Sequence, residues 1–177
     1  MRNEEQQLMH LEIDHLAKNP WFGVAMRVRY QETDAMAVVF HGNVATWFEV
    51  GRTEWIRALG VDYKQLEAEG LLFPVTDLRI SYKRPAHYDD WVAVFTRLDQ
   101  LGTIRMSFQS VVCRLNEEQV AQVQTAGWSP EPIGELLYEG GTDHAWIGRD
   151  WRPKRVSREQ PELWSMLQQL VQKKMEA

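Results

Sequence analysis

The sequence has one cysteine, no long apolar run and no excess of basic residues, and each absence excludes a class of protein. A single thiol, Cys113, cannot form an intramolecular disulfide or a thiolate metal cage, so a reducing compartment is expected. No apolar stretch approaches the roughly 20 residues that a membrane-spanning helix needs. The formal net charge of -5 argues against the basic surface typical of nucleic-acid binding. We therefore expect a cytoplasmic protein with no membrane segment and no nucleic-acid partner.

The length and composition predict one compact domain with a substantial core. The chain has 177 residues, of which 44% are hydrophobic and 25% are charged. We predict an N-terminal arm over 1–20, a main domain over 21–155 and a C-terminal helix over 156–177. The first 20 residues are polar and lack the apolar region of a secretory signal.

Two periodicities follow each other in the first third of the chain. Apolar side chains alternate from Phe22 to Tyr30, which predicts a half-buried strand whose buried face includes Tyr30. From Asn43 the apolar residues recur at helical spacing: Val44, Trp47, Phe48, Gly51, Trp55, Ile56 and Leu59. Asn43 is the expected N-cap and Gly60 the expected end of this helix. Gly51 on the packed side predicts a close approach of helix and sheet.

The remaining segments are mostly strand-like. Three strands are predicted over 74–84, 89–98 and 103–115, with a turn at 99–102 between the last two. A further strand is expected over 135–148 with a bulge or bend at Gly140–Gly141, and a short helical turn over 62–70. Residues 116–134 form either a long hairpin loop or an extra short strand.

This order predicts an α+β fold in which one long helix packs on one face of an antiparallel sheet of about five strands. A single long helix leaves part of such a sheet uncovered. Oligomerisation through the sheet or face to face is therefore expected.

Asp34 is an unusual carboxylate, because it lies between the first strand and the long helix, directly before the apolar run Ala35 to Phe40. Desolvation raises the cost of ionising such an acid, whereas the N–H groups of a nearby helix N-terminus favour its charge. The site therefore suits a catalytic base or nucleophile. The helix N–H groups near His41 would polarise a substrate carbonyl as an oxyanion hole does. The alternative is that Asp34 merely caps a turn.

The segment YQETDAMAVVFHGNVATWFEVGRTEW, 30–55, resembles the start of the hotdog-fold acyl-CoA thioesterases, in their 4-hydroxybenzoyl-CoA thioesterase and YbgC-like branch. That family shows Y-x-x-T-D-x-x-G-V-V-x-H, an Asn-containing helix start and then E-x-x-R-x-E. The matching residues here are Tyr30, Thr33, Asp34, Val38, Val39, His41, Asn43, Glu49, Arg52 and Glu54. A second junction, from Arg84 to Asp90, also resembles the family.

The resemblance implies a hotdog fold and thioester hydrolysis without a metal or an organic cofactor. Asp34 would act as general base or nucleophile, and the backbone N–H near His41 would polarise the thioester oxygen. The side chains of His41 and Tyr30 would orient Asp34 or the substrate. Gly42 and Asn43 at the helix start would contact the substrate. The expected assembly is a homodimer or homotetramer.

Charged residues that would meet CoA phosphates are found at two places. Lys83 and Arg84 are the first candidate pair, and the second cluster is Arg152, Lys154 and Arg155. For both, ordinary solvated charge is the alternative.

The chain departs from the family pattern at Ala37, where glycine is usual, and at Val44, where an aromatic residue is common. If the first position needs a positive φ, alanine there would reshape the loop.

Asp143 and His144 suggest a catalytic dyad, but neighbouring strand residues point to opposite faces and cannot easily pair.

The sequence therefore predicts an enzyme that hydrolyses an acyl-CoA or acyl-carrier-protein thioester. One alternative is a non-catalytic hotdog protein that binds or senses acyl-CoA. The other is a hotdog hydratase or dehydratase, which normally uses a differently placed pair of His with Asp or Glu. The type of acyl group stays open.

Overall fold

The computed structural model describes residues 19–172. Almost all of the predicted N-terminal arm, and the last residues of the predicted C-terminal helix, lie outside this range. No helix among the described residues is both long enough and apolar enough to cross a membrane.

The helices and strands follow in this order: β1 (Trp21–Arg27), a single 3-10 turn (Tyr30–Glu32), α1 (Asn43–Ala58), α2 (Tyr63–Ala68), β2 (Leu71–Leu72), β3 (Val75–Tyr82), β4 (Trp91–Leu101), β5 (Arg105–Arg114), α3 (Glu117–Ala126), β6 (Trp128–Ser129), β7 (Glu135–Ala145), β8 (Ile147–Gly148), α4 (Val156–Glu159) and α5 (Pro161–Gln172). Six strands form one antiparallel sheet in the order β3-β7-β5-β4-β1-β6. β2 and β8 pair separately. The prediction of one long helix against an antiparallel sheet is confirmed, with β6 as an additional two-residue strand.

Helix α1 lies on the inner face of the sheet, and its predicted apolar stripe is buried from Val44 to Leu59. A side chain at Gly51 would collide with Val94 and Thr96 on β4, since an added Cβ would lie 2.5 Å from Thr96 Oγ1. The predicted close approach is therefore confirmed. Gly60, with φ of 70°, follows the end of the helix as expected.

The segment 116–134 forms helix α3 on the outer face of the sheet, so the prediction of a loop or a short strand missed its main element. Asn116 and Gln119 form a reciprocal capping box at its start. Val120 and Val123 then pack over Trp21, Phe95 and neighbouring residues of the outer face. Only the two-residue strand β6 matches the expected extra strand.

Helix α5 packs against the C-terminal end of α1. Its buried residues Leu163, Leu167 and Leu170 join Trp55 and Leu59 in the largest apolar cluster. The space that remains there measures only about 10 Å³, and mostly apolar side chains line it. This end of the molecule is therefore sealed.

Four local predictions were wrong. Tyr30 leaves the strand and is 78% exposed, because the chain turns into the 3-10 turn after Val28. The N-cap of α1 is Gly42, since the Asn43 side chain binds elsewhere. Strand β4 continues to Leu101, and the turn follows it. Gly140–Gly141 pair in register with both neighbouring strands, and the irregularity lies beside Val112.

Candidate active site

Asp34 opens a tight hairpin between the 3-10 turn and α1. Thr33 bridges Val39, and the Asp34 amide donates to the Val38 carbonyl at 2.9 Å. The Asp34 carboxylate accepts the Met36 amide through Oδ1 at 2.8 Å. Its Oδ2 accepts no hydrogen bond from the described residues. Asp34 therefore does cap a turn, as the alternative interpretation predicted. Its second carboxylate oxygen is available to react with a substrate or water.

Ala37 closes this hairpin in the left-handed region, with φ of 60°. Its amide donates to the Asp34 carbonyl at 2.9 Å. Glycine adopts this conformation without the clash that a Cβ causes. The hairpin therefore keeps its shape with alanine, at a conformational cost that glycine would avoid.

Glu32 anchors the hairpin through its buried carboxylate, and no sequence pattern singled it out. Its side chain is 5% exposed and accepts from the Trp47 indole at 2.9 Å and from the Arg29 guanidinium at 2.9 Å. Burial alone would raise the pKa of Glu32, but these donors and the Arg29 amide outweigh it and lower the pKa. Glu32 thus stays ionised and fixes α1 to the loop.

The backbone of Glu32 ties the two ends of the hairpin together. Its carbonyl accepts the Phe40 amide at 2.8 Å and the Asn43 side-chain amide at 2.7 Å. The Asn43 side chain therefore holds the start of α1 against the loop.

Two backbone donors remain open where α1 begins. The amides of Asn43, Val44 and Ala45 are satisfied by the carbonyls of Phe40, His41 and Gly42. The amides of His41 and Gly42 have no acceptor among residues 19–172. These N–H groups, beside the positive end of the helix, suit an oxyanion.

The side chains predicted to assist Asp34 are exposed. The His41 ring lies against Phe40, with ring centroids 4.2 Å apart. The Tyr30 ring packs edge-on against Tyr88 at 5.6 Å and makes no hydrogen bond to Asp34 within the described part of the chain. The roles of His41 and Tyr30 stay predictions.

The first pair of candidate phosphate-binding residues is already paired with carboxylates of β7. Lys83 lies 2.9 Å from Glu139, and Arg84 lies 3.3 Å from Glu135. Their role toward the substrate also stays a prediction.

In the second cluster, Arg152 and Lys154 have longer ion pairs. Arg152 lies 3.8 Å from Asp150, and Lys154 lies 3.7 Å from Glu159. Both clusters are largely solvated, so the charges alone do not select one of them.

Asp143 and His144 point to opposite faces of β7, as the sequence predicts. Asp143 binds Arg79 on the outer face at 2.8 Å, whereas His144 is fully buried on the inner face. The His144 ring lies between the Phe73 carbonyl at 3.3 Å, Thr142 at 2.8 Å and Arg52 at 3.2 Å. Burial, reinforced by the charge of Arg52, lowers the pKa of His144 to about 4. This histidine is a neutral core residue.

Comparison with known proteins identifies the family. The family model described as "Thioesterase superfamily" matches residues 36–121, beginning two residues after Asp34. The acyl-CoA thioester hydrolase YbgC of Escherichia coli is 33% identical over 103 residues, which are 55% of this chain and 77% of YbgC. This chain belongs to the thioesterase superfamily.

Other relatives agree with this assignment. A putative acyl-CoA thioesterase of Bacillus subtilis, YneP, is 47% identical over 74 residues. That match covers 42% of this chain and 54% of YneP, so it spans about half of the relative. The structure of a DHNA-CoA thioesterase from Staphylococcus aureus superposes with a TM-score of 0.72 at 33% identity, covering 86% of this chain and 91% of that one. The predicted hotdog fold is confirmed.

Proposed function

We propose that this superfamily member hydrolyses the thioester of an acyl-CoA to a free carboxylic acid and CoA, with Asp34 as general base or nucleophile. One observation carries the proposal. The Asp34 carboxylate with its open Oδ2, and the open N–H groups of His41 and Gly42, belong to a single anchored loop at the start of α1. Base and oxyanion donors are the two components that acyl transfer requires.

As general base, Asp34 takes a proton from water while the water oxygen bonds to the thioester carbon. The negative charge that develops on the carbonyl oxygen is stabilised by the N–H groups at the helix start. Collapse of this intermediate breaks the C–S bond and releases the thiolate, which is protonated on leaving.

As nucleophile, Asp34 bonds to the thioester carbon and expels the thiolate, which gives a mixed anhydride. Water then cleaves this anhydride to the acid and restores the carboxylate. Both routes use the same carboxylate oxygen and the same backbone donors.

Thiol release across a panel of acyl-CoA thioesters, with wild type and Asp34→Asn, tests the proposal. Asparagine keeps an oxygen for the Met36 amide, so the hairpin is retained while the base is lost. We expect kcat/KM to fall by about 10²- to 10⁴-fold, the range that general-base catalysis contributes. Unchanged hydrolysis in Asp34→Asn would exclude this mechanism. Tight acyl-CoA binding by wild type without turnover would support the sensing alternative. Acyl-carrier-protein thioesters, assayed in parallel, decide between the two carriers.

The proposal includes a homodimer formed through strand β3. This strand is at one edge of the sheet and exposes Val75, Leu78 and Tyr82, which are between 42% and 48% exposed. An exposed, partly apolar edge of eight residues favours pairing with a second copy. Sedimentation should give a dimer for wild type and a shift toward monomer for Leu78→Lys. A monomeric wild type would contradict this assembly.

A cytoplasmic, reducing location belongs to the same proposal. Cys113 is buried and is not part of a disulfide. Burial raises the pKa of its thiol to about 11, so it stays protonated and unreactive at neutral pH.

A further inference from the structure

Tyr82 crosses from the edge strand β3 to the loop that precedes α1. Its hydroxyl donates to the His41 carbonyl oxygen at 2.9 Å, although the two residues are 41 positions apart. The Tyr82 ring lies edge-on against Tyr138 at 5.4 Å. Tyr138 is buried, and its hydroxyl accepts the Ala86 amide at 2.9 Å. The Tyr82 hydroxyl is therefore held by a fixed part of the sheet.

The bond from Tyr82 determines where a neighbouring N–H group points. In a planar trans peptide the N–H lies opposite the C=O. Fixing the His41 carbonyl therefore fixes the direction of the Gly42 N–H, which has no acceptor among the described residues. The other donor to the His41 carbonyl is the Val44 amide, at the longer distance of 3.3 Å.

The residue that follows this carbonyl is glycine, which makes an external restraint more important. Gly42 lacks the Cβ that limits the backbone of other residues, so its peptide has more freedom to rotate. The hydroxyl of Tyr82 removes that freedom at the position where the proposed oxyanion forms.

We propose that Tyr82 is a positioning residue for thioester hydrolysis, which holds the His41–Gly42 peptide so that the Gly42 N–H faces the oxyanion of the tetrahedral intermediate. The inference rests on the proposed thioesterase function. Tyr82 acts through the peptide and does not itself react. Partial burial raises the pKa of Tyr82, so its hydroxyl stays protonated and can donate at neutral pH.

Tyr82→Phe removes this hydroxyl and keeps the ring against Tyr138. We expect kcat to fall by about 10-fold, less than the 10²- to 10³-fold loss for removing an oxyanion donor outright. KM, the thermal midpoint and the sedimentation coefficient should stay unchanged. Tyr88→Phe is the matched control, because Tyr88 is exposed and its hydroxyl has no partner in the described range. An unchanged kcat, or a loss explained by a lower thermal midpoint or by dissociation of the dimer, would overturn the inference.

Two ligands separate positioning from a purely structural role. A trifluoromethyl ketone analogue of acyl-CoA mimics the tetrahedral intermediate, and a thioether analogue mimics only the ground state. Tyr82→Phe should weaken binding of the ketone by the same factor as kcat and leave thioether binding unchanged. Equal weakening of both analogues would contradict the inference.

The NMR resonance of the Gly42 amide gives a readout that does not need turnover. Tyr82→Phe should shift this resonance and speed its hydrogen exchange, whereas Tyr88→Phe should not. If wild type hydrolyses no thioester but the resonance responds, the proposed function fails and the restraint on the peptide stands. If wild type is active but the Gly42 amide does not respond, the role of Tyr82 fails alone.

Discussion

The two ends of helix α1 are built in opposite ways. At its start, backbone N–H groups and one carboxylate oxygen have no partner among residues 19–172, and polar contacts of Glu32 and Asn43 hold the loop. At its other end, Trp55 and Leu59 are covered by α5 with almost no space left. On the proposed function, the open end serves catalysis, whereas the sealed end supplies stability. Substitutions at the two ends should therefore separate activity from folding.

The largest stability effect is expected at the sealed end. Leu167 is 2% exposed in the cluster formed with α1, so Leu167→Ala removes buried methyl groups and leaves a cavity. The free energy of unfolding should fall by about 2–5 kcal/mol, measured by chemical denaturation. The rate of thiol release per folded molecule should not change. A loss of rate in the folded fraction would show that the two ends are not independent.

His144 should make stability depend on pH. Its pKa of about 4 in the folded protein lies below the ordinary value of 6.5, so the unfolded chain binds the proton more readily. The contribution of His144 to stability is therefore fully present above pH 6.5 and is lost as the pH drops toward 4, by about 3 kcal/mol in total. Denaturation at a series of pH values should show this slope in wild type and a flatter one in His144→Gln. Equal slopes in both proteins would contradict the account of His144.

The smallest effect is expected at Ala37, in the hairpin that Asp34 opens. Glycine relieves the left-handed strain, so Ala37→Gly should raise the free energy of unfolding by about 1 kcal/mol. The matched control is Ala121→Gly within α3, where the same change should lower it by about 1 kcal/mol. Denaturation curves of both variants check the two signs. Destabilisation by Ala37→Gly would mean that the hairpin is not strained.

Local sequence patterns predicted the helix and strands around the site. They could not predict contacts between residues that are far apart in the chain. The apolar stripe of α1 and the alternation of the central strands specify their own faces, because each depends on a repeating period. Helix α3 was missed although its capping residues Asn116 and Gln119 are local, since the glycine and prolines that follow suggested a loop. The hydrogen bonds from Trp47 to Glu32 and from Tyr82 to His41 depend on the folded loop. No sequence period records such pairs.

Asp34 was singled out from its position before the helix and from the family motif, and its catalytic role stays a prediction. The exposure of Tyr30 was not predicted, because the alternating pattern continues past Arg27, where the strand ends. The positive φ of Ala37 follows from the glycine that the family usually has there. The sequence therefore predicted those features of the candidate site that depend on one residue and its neighbours along the chain.

The central claim is tested most directly by measuring thiol release and the thermal midpoint together for Asp34→Asn and Leu167→Ala. The account predicts that Asp34→Asn loses about 10²- to 10⁴-fold in kcat/KM with an unchanged thermal midpoint. Leu167→Ala should lower the thermal midpoint and leave the rate of thiol release unchanged at temperatures below that midpoint. Hydrolysis by Asp34→Asn at the wild-type rate would contradict the account.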